Sequence, residues 1–261
     1  MRIYKKHLKT NNPFIIIVKT DQFSMINLFR KIRQKLLSGN KLSNYLLYAF
    51  GEILLVVIGI LIALKVNNWN ESRKTLTEAK TYISSFYDEN ITNQESLESA
   101  LSFSKTAKTD IDTLKAILLN REYTDIRIKS YIGSMMALSN FSPTTTTMEN
   151  ISASGEFDLI TDINLRKNII STYNSFKTTT KLEGLLETYV NEFLTPFLLE
   201  NLRFSDFSSI NSDFIKNPIF ENIVLGYDAL LIQEINGYEK NLERLKQLNE
   251  NLSQEKSKYN D

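Results

Sequence analysis

The chain has 261 residues, a net charge of +1, no cysteine and a single histidine, His7. The missing cysteines exclude disulfides, thiolate metal sites, thiol nucleophiles and a lipid-modified cysteine. One histidine near the N-terminus excludes a His-based triad or metal site elsewhere. The near-neutral sum hides an asymmetry. Residues 1–43 carry ten Lys/Arg and one Asp, about +9, and residues 67–261 carry twenty Lys/Arg and twenty-eight Asp/Glu, about −8. The acidic body argues against nucleic acid as a partner, because phosphate contacts need a concentrated basic surface.

Residues 1–24 form a poorly defined N-terminal extension. Its apolar run, Phe14 to Val18, is too short to span a bilayer, and Met25 is the expected natural start. Residues 25–43 read as a basic amphipathic helix. Met25, Phe29, Ile32 and Leu36 fall at i, i+4, i+7 and i+11, with Arg30, Lys31, Arg33 and Lys35 on the remaining surface. That pattern suits the anionic face of a membrane, and Ser38 to Asn40 ends it.

Residues 44–66 are the expected transmembrane helix. Leu46 to Leu64 contains one charge, Glu52, and at 1.5 Å per residue it spans roughly 28 Å, close to the hydrocarbon thickness. Its Leu, Ile, Val and Phe residues favour insertion by roughly 4 to 8 kcal/mol, against about 3 kcal/mol for a buried acid. The apolar contribution wins. Tyr45, Tyr48 and Trp69 flank the run as interface anchors. Lys/Arg excess before Asn44 orients the N-terminus to the cytoplasm and residues 67–261 outward, which in a bacterium means an inner-membrane protein with a periplasmic domain. Along the helix, Glu52, Gly59 and Ala63 fall within about 20° of one line, and Tyr45 and Tyr48 share that face. Gly59 and Ala63 form a small-xxx-small pair. The face therefore has two readings: it packs on a second copy or another membrane protein, with Glu52 hydrogen-bonding there, or Glu52 is protonated or snorkels without a partner.

The expected fold class is all-α: a single transmembrane helix followed by an extended helical bundle. Ile60 to Ile132 contains neither Gly nor Pro, which predicts long helices. A seam at alternating three- and four-residue steps runs through Ile83, Phe86, Asn90, Asn93, Leu97, Ala100, Ser104, Ala107, Ile111, Leu114 and Leu118. The tail offers a partner seam in Leu231, Ile235, Tyr238, Leu242, Leu245, Asn249 and Leu252. Shorter helices are expected at Asp125–Ser139, after Pro143 with Thr146 and Glu149 as a capping box and Gly155 as the stop, and from Ile163 to about Glu192 behind an Asp162 cap. Pro196 and Pro218 bound an aromatic connection.

No residue pattern calls for a catalytic, cofactor-binding or metal site. The Thr144–Thr147 run lacks the glycines and lysine of a P-loop, and helix capping accounts for it better. Acid pairs such as Asp88 with Glu89 read as solvated helix faces. Ser152 to Gly155 is no nucleophile elbow, because no strand precedes it.

FRKIRQKLLSGNKLSNYLLYAFGEILLVVIGILIALKVNNWNESRK (Phe29 to Lys74) and FSPTTTTMENISASGEFDLITDINLRKNIISTYNS (Phe141 to Ser175) resemble an uncharacterised single-pass membrane protein family of Bacteroidota, domain of unknown function 6090. The resemblance implies a membrane anchor in a bacterial cell envelope and supplies no activity. The lipid bilayer is then the first partner, with a homo-oligomer or another membrane protein on the helix face as the second. The expected function is an envelope scaffold or interaction module; the alternative is an extracytoplasmic ligand sensor working with a signalling partner, with a membrane-bound enzyme behind both.

Overall fold

The computed structural model describes residues 30, 31, 34, 35 and 42–259. Most of the expected amphipathic helix, Arg33 included, and all of residues 1–24 lie outside the described residues; Arg30, Lys31 and Lys35 are helical and exposed. Chain contacts divide into two units, Met1–Ser72 and Arg73–Asp261. Six α-helices and no strands occur among the described residues, so the fold is all-α. Helix α1, Leu42–Leu119, has 78 residues.

In the first unit, α1 carries the apolar run. Its most hydrophobic window has a mean hydropathy of 2.6, and none of that window is buried. Leu47 is 78% exposed and Ile58 46%. This is one helix long and apolar enough to cross a membrane.

In the second unit, all eleven seam positions of α1 are buried. The chain turns at Arg121, whose φ of 59° is left-handed. Glu122 N–H donates to the Ile117 carbonyl and Arg121 N–H to the Leu118 carbonyl, a Schellman closure that usually recruits glycine. Helix α2 (Ile128–Met136) buries Ile128, Ile132 and Met135. Helix α3 (Thr146–Ser154) stops at Gly155, whose φ of 73° meets the expectation. Helix α4 (Ile163–Tyr189) starts at Asp162, whose carboxylate accepts from the Asn164 and Leu165 N–H groups.

Helix α4 does not end where a proline-based reading places it. Val190–Leu194 winds as one π turn, and α5 (Thr195–Asn201) continues through Pro196. Proline has no N–H to return to the previous turn and crowds its carbonyl; the wider π turn just before it accommodates both defects. Helix α6 (Pro218–Lys258) begins with Asn217 accepting from the Ile219 N–H and Pro218 in the first turn, the favoured proline position. Helices α4 and α6 pack on each other. A Cβ on Gly226 would lie 2.1 Å from the Tyr189 hydroxyl, so only glycine lets that ring lie against α6.

Two apolar cores fill the bundle. One gathers Ile111 and Leu114 of α1, Ile132 of α2, Leu186 of α4, Leu198 of α5 and Val224, Tyr227 and Leu231 of α6. The other gathers Ile83, Phe86 and Leu97 of α1, Ile151 of α3, Ile169, Tyr173 and Phe176 of α4 and Tyr238, Leu245 and Leu252 of α6.

Candidate functional site

The two cores are separated by a layer of buried polar side chains. Their positions follow from helix periodicity. On α4 and into the π turn, Phe176, Thr179, Glu183, Leu186 and Val190 step by three and four residues and are all buried. On α6 the same steps run Leu231, Glu234, Tyr238, Asn241, Leu245, again all buried. Ile235 and Leu242, expected in the tail seam, pack only at its flank; Glu234 and Asn241 hold the central positions.

Each member of the layer has a partner. Ser104 donates to Glu234 at 2.8 Å. Tyr238 donates its hydroxyl to Glu183 at 2.6 Å, and Phe141 N–H reaches the same Glu183 oxygen at 2.6 Å. Asn241 donates to Thr179 and to the Ser175 carbonyl. Burial disfavours the ionised form of both acids. It raises Glu183 above the usual carboxylate range, with the hydrogen bonds opposing. It pushes Glu234 up to about 7, the Ser104 bond opposing and the Glu183 charge adding to the rise. A more exposed charge cluster lies between α1 and α6: Asp228 is paired with Lys108 and Lys115, and Asp112 faces the same two lysines.

A second construction ties the Phe141–Thr147 segment to the bundle. Glu183 accepts the Phe141 N–H. Asn93 accepts from the Thr144 N–H at 2.7 Å and donates to its carbonyl at 2.9 Å. Glu89 accepts from both the N–H and the hydroxyl of Thr147 and from the Tyr173 hydroxyl. The Thr147 N–H, one of the free N–H groups at the start of α3, is thus capped from another helix. The expected Thr146–Glu149 box does not form; Thr145, one residue earlier, donates to Glu149. Glu89 is correspondingly no solvated face residue, whereas its neighbour Asp88 is exposed. Asn90, finally, bonds Asn249 and the Leu245 carbonyl of α6.

The expected intramembrane face is less enclosed. Glu52, Gly59 and Ala63 are exposed, and Tyr48 is half-buried. Nothing lies within 4 Å of the position a Gly59 Cβ would take. Tyr45 is helical, with its side chain outside the described residues. Among the described residues no three His, Cys, Asp or Glu side chains cluster in a way that could hold a metal ion.

Residues 52–194 match the profile of a family of unknown function, DUF6090. The chain belongs to the DUF6090 family. No curated protein and no solved structure matches it. The DUF6090 match runs from Glu52 to Leu194. It therefore holds Glu89, Asn93, Ser104 and Glu183 but stops before α6, which supplies Glu234, Tyr238, Asn241 and Asn249. The buried network is completed by residues beyond the family match.

The buried acids escaped the sequence reading because a lone Glu in a helix is ordinarily solvated. The signal is spacing: Glu183 and Glu234 both fall in three- and four-residue steps that continue the buried seams of α4 and α6.

Proposed function

We infer that the chain is a single-pass protein of a bacterial inner membrane. Its N-terminus is cytoplasmic, and its acidic helical domain is a periplasmic scaffold or interaction module. The carrying observation is the fully exposed apolar window of α1, which is hydrophobic all round where a soluble helix would show one buried stripe. The basic head and acidic body support the orientation. The Glu52, Gly59 and Ala63 face supports contact with a second copy or another membrane protein, since small residues let helix backbones approach and a polar side chain adds a hydrogen bond in lipid.

The body supports a scaffold reading over a catalytic one. Its buried carboxylates are engaged by Ser104, Tyr173, Tyr238, Thr147 and backbone N–H groups. That specifies one packing of the helices rather than presenting acids to a substrate.

Crosslinking in native membranes followed by mass spectrometry tests this reading. The expected result is a defined set of membrane or envelope proteins, or the chain itself, linked through the span or the body. Recovery of only uncrosslinked chain at reagent levels that link known complexes would overturn it.

A further inference from the structure

A cavity of about 340 Å³ lies in the second unit between the start of α4 and the last turns of α6. It sits just outside the apolar core, with Leu165 of α4 at its edge. Five carboxamides line it: Asn164 and Asn168 on α4, and Gln247, Asn251 and Gln254 on α6. Their spacings, i and i+4 on one helix and i, i+4 and i+7 on the other, put each set on a single face.

This lining has three features. None of the five carboxamides bonds to another protein group among the described residues; Asn164, Gln247 and Gln254 are exposed and Asn168 and Asn251 half-buried, so all five are open to a ligand from solvent. The neighbouring exposed face of α6 carries charged residues instead, Glu243, Arg244, Lys246 and Glu250. The charge is also small. Lys258 is paired with Glu255 at 2.6 Å, and the Asp162 carboxylate already accepts two helix N–H groups.

Each carboxamide presents two donors and one acceptor. A ligand that satisfies five of them must itself alternate donors and acceptors around its surface, as sugar hydroxyls do. Its volume falls within the roughly 300–1,000 Å³ of small-molecule sites, but the polar lining is wrong for an apolar ligand. An anionic ligand would meet Asp162 and Glu255. We propose that this cavity binds a short neutral saccharide through Asn164, Asn168, Gln247, Asn251 and Gln254. Binding here is independent of whether the body scaffolds other proteins, so either reading can fail without the other.

Saturation-transfer NMR on the full chain in phosphatidylcholine nanodiscs tests the proposal, with maltotriose, cellotriose and tri-N-acetylchitotriose as neutral probes and trigalacturonic acid as the anionic one. Sugar-headed detergents must be avoided because they would compete. The expected result is transfer to at least one neutral probe, none to the acid, and at least a fivefold weaker signal in Gln247→Leu and in Asn251→Leu. Gln247 is exposed, so its substitution leaves folding intact, and an unchanged melting temperature verifies this. Absence of transfer to all three neutral probes, or equal transfer in Gln247→Leu, would overturn the proposal. So would neutral-probe transfer that vanishes as protein concentration rises tenfold, which would assign the cavity to a second chain.

Discussion

Two stretches of one helix, α1, show what fixes each part of this molecule. Leu46 to Leu64 is apolar over most of its circumference, interrupted by Glu52, and its Leu, Ile, Val and Phe side chains are 44% to 78% exposed. Leu97 to Leu118 has one apolar seam, and Leu97, Ile111 and Leu114 are fully buried in it. The first stretch buries no face inside the protein, so its stability depends on the surrounding medium. The second has a face, so its stability depends on partners from α4 and α6. Sequence period separates the two: continuous hydrophobicity for lipid, three- and four-residue steps for protein.

That contrast can be broken most directly in the first stretch. Replacing Ile58 and Leu61 together with arginine costs about 5–7 kcal/mol of insertion free energy, enough to cancel the apolar gain. The chain should leave the membrane pellet, as read by fractionation, while the body's helical signal persists. A single Leu245→Ala in the second core should lower body stability by about 2–5 kcal/mol in denaturant melts. Ile58→Ala should change the same melt by less than about 0.5 kcal/mol, because it fills no protein core.

The polar layer between the cores sharpens the comparison, since only a packed interior perturbs its acids. Burial raises Glu234 from 4.5 to about 7. Between those values the folded body holds a proton that the unfolded chain has released. The Glu234 contribution to stability is therefore fully present below about 4.5, is lost as pH rises to about 7, and then levels off. The fall amounts to about 3 kcal/mol. Glu234→Gln keeps an acceptor for Ser104 and should flatten that part of the pH profile, leaving stability near pH 5 unchanged and raising it at pH 8. Glu183, also raised by burial, adds a smaller slope in the same direction that survives the substitution. A modest gain is expected at the Schellman turn: Arg121→Gly should stabilise the body by about 1 kcal/mol in the same denaturant melt, the strain of a left-handed residue with a side chain.

What the sequence made legible follows the same division. The apolar run and the seam of α1 were readable because each is a local period. The Asp162 cap and the Gly155 stop were readable because each acts within a few residues. Glu89 was not, because its partners Thr147 and Tyr173 lie 58 and 84 residues away. Glu183 reaches Phe141 and Tyr238 across 42 and 55 residues. In α6 the apolar Ile235 and Leu242 mark a seam one position off, because the acid Glu234 and the amide Asn241 occupy the interior. Likewise, Pro196 suggested a helix end because nothing local announces the π turn that carries the helix past it. The five cavity carboxamides are split between two helices some 80 residues apart, and only folding brings them together.

Alkaline carbonate extraction of membranes from cells making the full chain, followed by ultracentrifugation, tests the central claim that Leu46 to Leu64 is solvated by lipid. The chain should remain in the pellet and be released only by detergent. Recovery of folded, monodisperse full-length chain in the detergent-free supernatant would contradict it.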